Sequence, residues 1–130
     1  MDAQTLLTRF QAANVLVADC PSRLVLAHLT SRWGALVMIA LATGTHRFSA
    51  LRRQIGGVSE RMLAQTLQQL EADGMVRRVA HDVVPPHVEY SLTPLGQAAS
   101  LRVVALSGWI EEHLGQIMAA QPGPRAVAAR

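Results

Sequence analysis

Residues 44–93 constrain the fold more than any other stretch of this chain. They read GTHRFSALRRQIGGVSERMLAQTLQQLEADGMVRRVAHDVVPPHVEYSLT, a run divided by Gly44, Gly56-Gly57, Gly74 and Pro85-Pro86 into pieces of different period. His46, Arg47 and Phe48 are few enough to make a brief strand, and Ser49 can cap a short helix that turns Leu51 and Ile55 inward. Gly56-Gly57 lets the chain turn sharply. Ser59 then serves as the N-cap of a helix running to about residue 73, with Gly74 as its stop. Its inward stripe is Met62, Leu63, Leu67 and Leu70, which leaves Arg61, Gln65, Gln68 and Gln69 mostly outside. Residues 75–80 and 88–92 are rich in β-formers and bracket a polar tip. Pro85-Pro86 cannot donate ladder hydrogen bonds, so it belongs in that tip or at an edge.

The flanks read as helices. Residues 4–18 carry Leu6, Leu7, Phe10, Ala13 and Val17 at spacings of three and four, with Asn14 as the polar interruption. Such a stripe must be buried against the chain's own core or a partner subunit. Pro21 suits the first turn of a further helix holding Leu24, Val25, Leu26 and Leu29. Residues 33–41 are nearly all apolar and mark the central buried element. Thr93-Pro94 opens a long helix to about residue 119, whose stripe includes Leu101, Val104, Trp109, Ile110 and Leu114. Residues 121–130, rich in Ala, Pro, Gly and Arg, read as a disordered tail.

At 130 residues, half of them hydrophobic, the chain is long enough to bury one real core. The apolar run 36–42 is too short to span a bilayer, and no secretion signal opens the sequence. The single cysteine, Cys20, excludes an internal disulfide and fits a reducing compartment, so a cytoplasmic location without membrane contact is expected. All twelve cations are arginine, and the net charge is +3. Arginine's planar fork suits phosphate and guanine, but codon bias explains the count equally well, so position carries more weight. Arg47, Arg52, Arg53, Arg61, Arg77 and Arg78 fall together in the 44–93 segment, an electrostatic footprint suited to nucleic acid.

These pieces add up to a mainly α fold with a small β-hairpin wing. The expected architecture is a winged helix-turn-helix (20–93) between an N-terminal (1–19) and a C-terminal (94–120) dimerisation helix. The 59–73 helix is the candidate reader of DNA: Gln65 and Gln69 suit adenine, Arg61 suits guanine or phosphate, and the helix N-terminus attracts phosphate. An ordinary amphipathic surface helix would also carry those glutamines; the turn, cap and hairpin in sequence decide for DNA. Arg77 and Arg78, at consecutive strand positions, point to opposite faces, so only one of them is expected to meet the duplex squarely. His81 and His87 flank the hairpin tip, within reach of backbone or minor groove. With Glu89 nearby a metal reading is the weaker alternative, because no spacing matches a standard zinc set, and solvated loop histidines with no metal are expected.

The sequence resembles the HxlR family of bacterial winged helix-turn-helix transcription regulators, relatives of the MarR-type proteins. The resemblance covers about residues 20–109 and is carried by DCPSRLVLAHL, RWGALVMIAL, HRFSALRRQIGGVSERMLAQTLQQLEADGMV, VPPHVEYSLTPLG and Trp109. It implies a homodimer on the double-stranded DNA of an inverted-repeat operator, with terminal helices forming the dimer interface. It also implies recognition positions at Ser59, Arg61, Met62, Gln65, Thr66 and Gln69, and a wing contact at His87 where the family usually has arginine. Thr30-Ser31-Arg32 replace the family's usual Gly-Gly-Lys before the tryptophan, and Ala50 its acidic residue.

Cys20 stands at a helix start, where the dipole and Arg23 favour a thiolate and Asp19 opposes it. The resemblance implies a sensor of oxidants, quinones or aldehydes; a small, buried, inert cysteine is the other reading. A ligand in the dimer cleft would be an alternative effector. No phosphate loop, nucleophile elbow, zinc signature or catalytic dyad is present, so neither an enzyme nor a cofactor is expected. The competing non-enzymatic function is a winged-helix module for protein–protein contact without DNA.

Overall fold

Residues 2–123 are described in this computed structural model, the side chains of 9–13 excepted. The elements run α1 (Ala3–Ala13), α2 (Pro21–Thr30), α3 (Arg32–Leu41), β1 (His46–Arg47), α4 (Phe48–Gln54), α5 (Glu60–Ala72), β2 (Val76–His81), β3 (His87–Leu92) and α6 (Pro94–Ala120). The chain is thus mostly helical with a small antiparallel sheet, the winged helix-turn-helix expected from its sequence.

Helix boundaries follow local chemistry. Asp2 caps α1 by accepting the Thr5 N–H at 2.8 Å, which holds its carboxyl below the usual carboxylate value. α1 ends at Ala13, not near residue 18, because Asn14 adopts φ 56°, a left-handed conformation that asparagine tolerates better than most residues. Val17 therefore lies beyond the helix, and the Phe10 and Ala13 side chains of the expected stripe fall outside the described set. Pro21 occupies the first turn of α2, as expected. Ser31 separates α2 from α3 and caps the latter, accepting the Gly34 N–H at 3.0 Å. Ser49 does not cap α4: β1 leads straight into the helix, Arg47 takes the N-cap position and Ser49 is the second helical residue. The expected tail falls mostly at 124–130, outside the described residues.

α3 is the centre. Val37, Met38, Ala40 and Leu41 are buried, packed with Leu51 of α4, Leu63, Leu67 and Leu70 of α5, and Val76 and Tyr90 of the sheet. Each large aliphatic side chain in this cluster contributes about 1.5–3 kcal/mol of burial. Ser100 of α6 is buried too and donates its hydroxyl to the Met38 carbonyl at 2.9 Å, tying the last helix to the first core helix. No single helix among the described residues is long and apolar enough to cross a membrane.

The sheet has the order β1-β3-β2, all antiparallel, so the expected brief strand at 46–47 completes a three-stranded wing. Register pairs Arg47 with Glu89, Val79 with Glu89 and His81 with His87. Side chains alternate, so Val76 and Tyr90 face the core while Arg77, Val79, His81, His87 and Glu89 share the outward face with Arg47. One threonine joins these parts. The Thr93 hydroxyl donates to the Gly74 carbonyl at 2.6 Å and accepts the Gly96 N–H at 2.9 Å, while its own N–H donates to Met75 O at 3.1 Å.

Candidate nucleic-acid interface

The loop before α5 turns at Gly57, whose φ of 87° suits glycine, beside the ring of Trp33. Ser59 then caps α5 as expected, its hydroxyl accepting the Met62 N–H at 3.0 Å. At the far end Gly74, with φ 78°, reverses the chain into β2. Both ends of the helix are fixed by residues chosen for that task, and its rotation about its axis is fixed by the core.

That rotation sorts the side chains. Leu63, Thr66, Leu67 and Leu70 are buried; Arg61, Gln65 and Gln68 stand exposed on the opposite side, with Gln69 half-buried at the border. Two expectations are corrected here. Met62, assigned both to the inward stripe and to the recognition positions, is 39% exposed, whereas Thr66, named among the recognition positions, is only 5% exposed. Thr66 can be buried because its hydroxyl donates to the Met62 carbonyl one turn back, at 2.7 Å.

The arginines lie on the elements before and after this helix. Arg52 and Arg53 lie exposed in the last turn of α4, and Arg52 sits 3.6 Å from the exposed Glu60 carboxylate at the start of α5. A solvent-exposed pair of that kind is worth little and yields readily to a phosphate. Arg47 is exposed at the end of β1, and Arg77 and Arg78 are both exposed on β2, on opposite faces as expected. His81 and His87 are not solvated loop residues: they end β2 and begin β3, directly opposite each other, with their rings stacked 4.7 Å apart.

Sequence reasoning missed one anchor of α5. His28 of α2 meets the carboxylate of Asp73, the C-cap of α5, with 2.6 Å between Nδ1 and Oδ2 and both side chains largely buried. The partners are 45 positions apart, and neither carries a local signal that predicts the other.

Cys20 is the N-cap residue of α2 and is half-buried. Arg23, expected to support its thiolate, directs its guanidinium to the Leu16 carbonyl at 3.0 Å. Beside Cys20 opens an apolar cavity of about 680 Å³ lined by Val15, Pro21, Ser22, Val25, Leu26 and Leu29.

Comparison with known proteins agrees with this geometry. The family profile described as HxlR-like helix-turn-helix matches residues 28–118. The chain is 57% identical over 119 residues to the HTH-type transcriptional regulator YtfH of Escherichia coli (strain K12), spanning 92% of this chain and 94% of that one. It is similar to the solved structure of ytfH from Salmonella typhimurium, with 62% identity and a TM-score of 0.79 over 82% of this chain and 96% of that chain. The redox regulator HypR in its oxidized form is similar at 35% identity and a TM-score of 0.66, over 72% and 96% respectively. With its helix-turn-helix and wing in place, this chain belongs to the HxlR-like helix-turn-helix family and is a DNA-binding transcriptional regulator, not an enzyme.

Proposed function

We propose that the protein acts as a homodimer on an inverted-repeat operator, each subunit placing α5 in the major groove. The observation that carries this reading is the orientation of α5. Its apolar face is locked into the core, and Arg61, Gln65 and Gln68 project from the other side between arginine-bearing neighbours. In this arrangement Gln65 and Gln69 read base edges, with Met62 making apolar contact. Ser59 and Arg61 at the helix start, with Arg52, Arg53, Arg47, Arg77, Arg78 and His87 around it, serve the phosphate backbone and the wing contact. Thr66 supports the helix from inside.

The second copy packs on the apolar surface that α6 and α1 leave open. Leu101 is 67% exposed and Trp109 53%, with Leu106, Ile110 and Leu114 also exposed along the same long helix. An apolar surface of this extent is characteristic of an interface. Control resides beside it, at Cys20 and the adjoining cavity. Peroxide takes such a thiol to the sulfenic acid with release of water, and quinones add to its thiolate. The likeness to HypR supports this.

A band-shift titration on upstream DNA tests the whole reading. Specific binding over random duplex is expected, weakening about 10³-fold or more between 50 and 200 mM salt if six or more phosphates are contacted. Equal affinity for random duplex would sink the operator reading. Oxidant or quinone should release wild type but not Cys20→Ser; equal responses would move control to a ligand in the cavity.

A further inference from the structure

The outward face of the wing brings together His81, His87 and Glu89, a set whose sequence spacing matches no standard zinc site. Register places His81 opposite His87, and Glu89 follows two residues later on the same face. One donor atom from each lies within 4.8 Å of the other two. Tetrahedral ligands held 2.0–2.1 Å from a zinc ion stand about 3.3 Å apart, so small side-chain rotations on a fixed strand pair close the set.

Two details favour a cation here. Glu89 lies directly across from Arg47 in the sheet, yet its carboxylate contacts His81 instead. His81 Nε2 is shut off from solvent and makes no hydrogen bond of proper geometry, although the Glu89 oxygen rests against it. An imidazole lone pair and a carboxylate oxygen repel each other unless a proton or a metal ion lies between them. Two imidazoles, one carboxylate and an open fourth position for water form a donor set that suits zinc, and nickel or copper accept the same ligands.

We infer that His81, His87 and Glu89 form a binding site for a divalent first-row metal ion, with zinc the ion of best fit. The ion would clamp β2 to β3 just below the 82–86 tip. It would also add positive charge to the face shared with Arg47 and Arg77. Metal binding stands or falls independently of the operator reading.

Untagged full-length Cys20→Ser protein, which lacks the competing thiol, is titrated with cobalt(II) and followed by visible absorption. One ion per chain with the intense bands of tetrahedral nitrogen–oxygen coordination is expected, displaced by zinc. Glu89→Gln, His87→Gln and His81→Gln, each checked for folding by circular dichroism, should each weaken binding about tenfold or more. His113→Gln, on the distant α6, should bind as the parent does. Absence of saturable cobalt binding, or binding unchanged in all three wing variants, overturns the inference.

Discussion

Met62 and Thr66 stand one turn apart on α5, at the border between its packed and its open sides. Hydrophobicity alone places methionine inward and threonine outward, and the core does the reverse. The compact threonine fits against Leu63 and Leu67 once its hydroxyl is satisfied within its own helix, and the longer methionine is left outside. Periodicity finds the axis of a stripe well and its edge poorly, because edge residues are sorted by shape. Different outcomes follow for neighbouring substitutions. Gln65→Ala should lower operator affinity by about 1–3 kcal/mol and relax selectivity at one base pair, as read by competition band shifts. Thr66→Val keeps the volume and should leave affinity within about twofold while lowering stability by roughly 0.5–1.5 kcal/mol in urea melts. A large affinity loss in Thr66→Val with unchanged stability would show that Thr66 reaches DNA.

At the scale of elements, α5 is held at both ends. Ser59 fixes its start, and the Asp73–His28 contact pins its end to α2, the helix whose N-cap is Cys20. Asp73→Asn should cost on the order of 1–3 kcal/mol of stability, since it removes a charge-assisted hydrogen bond between largely buried partners. If α2 conveys the state of Cys20 to α5 through this contact, the variant should also blunt the oxidant response in the band shift; a full response would place the coupling elsewhere. The ends of α5 were legible in the sequence because caps, glycine stops and proline starts are local chemistry. The start of α6 at Thr93-Pro94 was legible for the same reason. The His28–Asp73 contact was not, nor was the register that puts His81, His87 and Glu89, near in sequence, on one face. The first depends on how distant segments are brought side by side, and a strand register is invisible until its partner is known. Asn14 shows the opposite failure: a helical stripe continued on paper past a residue whose backbone had already turned away.

At the scale of the molecule, the small core is complete around α3, while α6 extends well beyond it with apolar side chains in the open. Replacing Leu106 of that helix by glutamate should leave the fold intact and shift the protein to monomer in sedimentation equilibrium. Operator affinity should fall about 100-fold or more as two-site binding is lost. A Leu106→Glu protein that remained dimeric would move the interface off this surface. The same helix starts at Thr93, whose side chain also grips the carbonyl ending α5's turn and whose backbone grips the start of β2. At 27 residues α6 is a rod about 40 Å long, held at its near end by Thr93 and Ser100. Pushing its far tip sideways by about 4 Å turns it through only about 6°, a geometric consequence of that length. The anchored stretch from Thr93 to Ser100 thus joins the far end of that rod both to the turn between α5 and β2 and to the central helix α3, so a sideways displacement at the tip reaches them only as a tilt of a few degrees.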